Sequence, residues 1–75
     1  MPTKEDFVRS YESSLEYFES VTKMVIAVRL PTRATELIIN SELIDSKVEY
    51  YKNAYDDQMK LKNNPQVQIV GWMFA

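Results

Sequence analysis

The chain of 75 residues contains one glycine, Gly71. Glycine supplies the positive-φ conformations that tight hairpin turns adopt most readily. So little of it argues against a turn-rich β fold, and the reading that follows is mostly helical. The three prolines, at positions 2, 31 and 65, divide the chain into two long segments and a tail.

The first segment reads as a helix over about residues 4–29. Thr3 is placed to cap it, with Asp6 three residues on as a capping-box partner. Glu5 and Asp6 lie in the first turn, where the helix dipole favours anions. Phe7, Val8, Tyr11, Leu15, Phe18, Val21, Val25 and Val28 recur at helical spacing. The stretch from Met24 to Leu30 is β-branched and apolar on all sides, so it suits a buried helix end or a short strand. Leu30-Pro31-Thr32 is the turn. A second helix follows over about 33–62, with a stripe of Ala34, Leu37, Ile38, Ser41, Ile44, Val48, Tyr51, Tyr55 and Met59. Asn63-Asn64-Pro65 reads as a helix stop. The tail, 63–75, opens with a strand-like alternation at Gln66, Val67, Gln68 and Ile69.

One domain, 1–75, in an antiparallel hairpin of two long helices with an apolar, extended tail is therefore the expected all-α fold. The alternative is α-β-α-β, with 24–30 and 66–73 as parallel strands in a small sheet that dimerisation completes.

A chain this short buries roughly 60–65% of its unfolded surface, so its core is thin. It has no cysteine and no histidine. That removes disulfides, thiolate and imidazole metal sites, and serine nucleophiles activated by His. One glycine cannot build a phosphate-cradling loop. The net charge is −2 and the nine basic residues are scattered, unlike the basic face of a nucleic-acid binder. No leader pattern or membrane-length apolar run is present, so a cytoplasmic protein without a membrane partner is expected.

Carboxylates supply the one pattern with chemistry. Glu16 and Glu19 are followed by Glu42 and Asp45, each pair spaced i, i+3. On facing helices this Glu-x-x-Glu and Glu-x-x-Asp arrangement resembles the all-α nucleotide pyrophosphohydrolases of the MazG and dimeric dUTPase type. The resemblance implies magnesium held by Glu16, Glu19, Glu42 and Asp45, and a water attacking a nucleoside triphosphate. It covers only about residues 16–45. Without it, the same carboxylates are a solvated helix surface, and no cofactor is expected.

The other feature is unassigned apolar surface. Leu43, Tyr50, Ala54 and Leu61 form a second apolar line on the second segment, which one hairpin cannot bury along with the first. The tail adds Val67, Ile69, Trp72, Met73 and Phe74, which either close the protein's own core or dock on a partner. The expected function is a small non-catalytic protein–protein interaction module, a homo-oligomer or a chain that docks on a larger protein. Its size suits a phage- or mobile-element-encoded regulator or inhibitor. The competing readings are the magnesium-dependent nucleotide hydrolase and an accessory nucleic-acid binder.

Overall fold

The computed structural model of the chain describes residues 2–75. It is an α+β fold, which corrects the all-α hairpin. The elements run α1 (Lys4–Tyr17), β1 (Met24–Arg29), β2 (Thr35–Asn40), α2 (Ile44–Ala54), β3 (Lys60–Leu61) and β4 (Asn64–Phe74). The four strands form one antiparallel sheet in the order β2-β1-β4-β3.

Helix α1 begins as its sequence dictates. The Thr3 side chain accepts from the Asp6 N–H, and the Asp6 carboxylate accepts from the Thr3 N–H. It ends at Tyr17 rather than near residue 29. Its last turn carries no basic residue, while Glu16 and Glu19 put negative charge at the negative end of the dipole. The β-branched run beyond then takes the conformation it prefers. Met24, Ile26 and Val28 are buried, and Val25 and Ala27 between them face the other way.

The expected second helix divides in the same manner. Thr35–Asn40 is β2, and only Ile44–Ala54 is helical. The stripe of Ile44, Val48, Tyr51 and Tyr55 is nevertheless real, and all four are buried. Residues 24–30 and 66–73 do hold strands, as in the α-β-α-β alternative. They pair directly and antiparallel, with Met24 opposite Phe74 and Ala27 opposite Gly71. Val70 is the extra residue of a bulge between the Ala27–Gly71 and Val28–Ile69 pairs.

The turns are made without glycine. Leu30 N–H donates to Ala34 O at 2.8 Å, Arg33 N–H donates to Leu30 O at 2.8 Å, and Arg33 has φ 70°. The turn after α2 repeats this geometry. Asp56 N–H donates to Lys60 O at 2.8 Å, Met59 N–H to Asp56 O at 2.9 Å, and Met59 has φ 63°. Each is a three-residue loop ending in a left-handed residue, a position glycine usually fills. Leu43, just before α2, is a third left-handed residue at φ 52°. Each such non-glycine residue costs about 1–2 kcal/mol, which the surrounding pairing offsets.

Asp56 holds the second loop. Its carboxylate accepts from the Gln58 N–H at 2.9 Å and the Lys60 N–H at 3.0 Å. The Lys60 bond is the main cause of a carboxyl pKa below the usual range. Partial burial opposes it, and the Gln58 N–H and the charges of Lys60 and Lys4 add to it. A depressed folded-state pKa stabilises fully above the unfolded value and is lost as pH falls through the folded one. Asp56→Asn is therefore expected to lower the melting temperature at neutral pH. The gap to wild type should begin to narrow as pH falls below about 4, where the unfolded chain's carboxyl takes up its proton, and vanish only below the depressed folded-state value, where it is neutral in both states. Thermal melts across pH check this, and a gap unchanged by acid would show that the charge contributes nothing.

Both helices pack on one face of the sheet. Phe7 of α1, without solvent exposure, sits among Tyr51, Trp72 and Phe74, at ring-centroid separations of 6.4, 5.3 and 5.8 Å. The core continues through Met24, Ile26, Val28, Ile44, Val48, Tyr55, Met59 and Ile69.

Candidate functional site

The carboxylates do not assemble as the hydrolase resemblance implies. Glu16 lies in the last turn of α1, Glu19 in the bend after it, Glu42 before α2, and Asp45 in the first turn of α2. Only Glu16 and Asp45 are helical, so neither i, i+3 pair lies within one helix. Asp45 Oδ1 accepts a hydrogen bond from Tyr11 OH. No group of three or more potential metal ligands occurs among the described residues.

The apolar candidates divide. Ile69 is fully buried and Phe74 nearly so, both in the protein's own core. Ala54, Leu61, Val67 and Trp72 are half-buried and pack against that core. Leu43, Tyr50 and Met73 are exposed. The line from Leu43 to Leu61 is thus broken: Leu43 precedes α2, Tyr50 points outward from it, and Leu61 belongs to β3. Tyr51 and Tyr55 are buried, and desolvation first, then the neighbouring Tyr51 and Tyr50, pushes the Tyr55 phenol up.

The sheet carries a surface that helical spacing could not reveal. Antiparallel pairing puts Val25, Ala27, Leu37, Ile39, Gly71 and Met73 together on the face opposite the helices, because opposed residues share a face. Leu37, Ile39 and Met73 are 67%, 69% and 60% exposed. Between them is a shallow depression of about 290 Å³, lined by Val25, Ala27, Leu37, Gly71, Trp72 and Met73. Its floor is low because Ala27 and Gly71, the two smallest side chains, lie opposite each other. A Cβ on Gly71 would lie 3.8 Å from Ala27 Cβ, an ordinary contact, and Gly71 has no positive φ. Neither a turn nor close packing requires glycine there. The rim is basic: Lys23 and Arg29 stand at the two ends of β1 on this face, and its β1, β2 and β4 positions carry no carboxylate.

A larger open groove, about 460 Å³, runs beside α1 between Lys4, Glu5, Val8, Arg9, Glu12 and Asp57. Its charges answer one another, with Arg9 Nη2 at 2.6 Å from Glu5 Oε1. The apolar sheet face has no such internal partner, and its exposed area is the kind that marks an interaction site.

Fold and surface together define a small α+β domain with helices on one face of an antiparallel sheet and an apolar, basic-rimmed opposite face. No protein-family model, curated protein or solved structure matches the chain. No helix among the described residues is long and apolar enough to cross a membrane.

Proposed function

We propose that the chain is a protein–protein interaction module that docks on a larger protein through the helix-free face of its sheet. The observation that carries this reading is the cluster of Leu37, Ile39 and Met73, each more than half exposed, around the depression floored by Ala27 and Gly71. Burying side chains of this size stabilises a complex by about 1.5–3 kcal/mol each before the costs of association. The basic rim at Lys23 and Arg29 selects a partner whose apolar patch is bordered by carboxylates. A regulator or inhibitor acting by occupying a partner's surface fits this geometry.

Gly71→Leu tests it. The new side chain fills the depression and leaves the helix-side core untouched. Affinity capture with wild type, Gly71→Leu, Arg29→Glu and the helix-side control Tyr17→Ser should return a polypeptide held by wild type and Tyr17→Ser. Gly71→Leu should lose it, and Arg29→Glu should weaken it in a salt-sensitive way. Retention by Gly71→Leu equal to wild type would mean that docking occurs elsewhere.

A further inference from the structure

The two edges of the sheet are unlike. On one side, β3 is two residues long and its pairing with β4 shifts register. Pro65, in the paired strand, removes a further N–H. These are devices that discourage edge pairing. On the other side, β2 runs six residues in unbroken register as Thr-Glu-Leu-Ile-Ile-Asn, with no proline, no lysine and no bulge. All but Asn40 are exposed. Because Leu30 N–H donates to Ala34 O, the even-numbered residues of β2 form the hydrogen-bonded rungs with β1. Thr35, Leu37 and Ile39 therefore turn their N–H and C=O groups outward.

We infer that β2 is the seam of a symmetric dimer, in which two copies join edge to edge, antiparallel, with Ile38 on the two-fold axis. Hydrogen bonding restricts the register, since outward residues must meet outward residues. Side chains then decide among the registers that remain. Centring on Ile38 sets Ile38 against the partner's Ile38, Leu37 against the partner's Ile39, and Glu36 against the partner's Asn40. Apolar meets apolar, polar meets polar, and the two Glu36 carboxylates stay apart. Centring on Leu37 would instead set Glu36 against the partner's Ile38 and Thr35 against the partner's Ile39. The product is a continuous sheet of eight strands with all four helices on one side. This pairing uses backbone groups of the β2 edge, so it can fail while docking by the sheet face stands, and the reverse.

Light scattering over a wide concentration range should show wild type moving from one chain mass to two. Ile39→Pro removes an outward N–H and leaves the β1–β2 ladder intact, so it should remain one chain at every concentration with its melting transition preserved. Register is read by cysteines, since the chain has none of its own. Ile38→Cys should oxidise to a disulfide-linked dimer, because a non-hydrogen-bonded pair brings Cα atoms to about 4.5 Å. Leu37→Cys should not, because the two positions 37 would lie beyond the roughly 7 Å limit for a disulfide. A wild type that stays monomeric, or a dimer that survives Ile39→Pro, overturns the seam. Cross-linking of Leu37→Cys in preference to Ile38→Cys overturns the register. Should Ile39→Pro fail to fold, the cysteine pair decides alone.

Discussion

A chain shortened by residues 66–75 is expected to show no cooperative unfolding transition. β4 is the strand that joins β1 to β3, so its removal leaves the β1–β2 hairpin and a two-residue strand with nothing between them. The deletion also takes Ile69 and Phe74 out of the core and removes Trp72 from Phe7. Burial of side chains this size is worth about 1.5–3 kcal/mol each. The lost ladder adds to that, against a total stability of roughly 0.05–0.15 kcal/mol per residue for a domain. Far-ultraviolet circular dichroism and thermal melting check this. A sharp transition in the shortened chain would mean that the tail is an appendage and that the core closes without it.

Phe7→Ala is expected to cost about 3–5 kcal/mol, the range for truncating a large buried aromatic. Phe7 has no solvent exposure and touches rings from α2 and β4 at once, so it clamps α1 to both layers. Tyr51, Trp72 and Phe74 are too large to collapse into the space it leaves. Phe18→Ala is the matched control: Phe18 is 44% exposed, and its loss should cost about 1 kcal/mol or less. Urea denaturation separates the two, provided the slope is unchanged. A Phe7→Ala midpoint near wild type would show that α1 contributes little to the fold.

Local signals were legible where the structure follows local rules. The Thr3–Asp6 capping box, the buried face of α2 and the break at Pro31 could be read from residue types and spacing. The strands were legible only in part. Met24–Arg29 is β-branched enough to suggest one, and the alternation at Gln66–Ile69 suggests another, but nothing local says that the two pair antiparallel. β2 was hidden because Leu37, Ile38 and Ile39 form a continuous run that merges at helical spacing with Ile44 and Val48. The scarcity of glycine pointed away from hairpins, yet Arg33 and Met59 take the left-handed positions that glycine usually fills. The strain is tolerated because strand pairing on either side over-determines the turn. The apolar sheet face could not be read at all. It gathers Val25, Leu37 and Met73 from three strands, and their sharing one face depends on a register set by the whole sheet. The carboxylate pattern misled for the same reason, since its spacing had meaning only on two facing helices.

The antiparallel pairing of Met24 with Phe74 spans most of the chain, and this governs how quickly the protein reaches its native state. Hairpins and single helices form in microseconds, but contacts this distant in sequence require a large loop to close first. Until β4 docks, β1 presents an unpaired inner edge beside the outer edge of β2, which stays open in the folded chain as well, and Ile26 and Val28 lie open to water. That interval, more than the finished fold, is when neighbouring chains compete for the same hydrogen bonds. The crowding of newly made chains then sets how many of them become native.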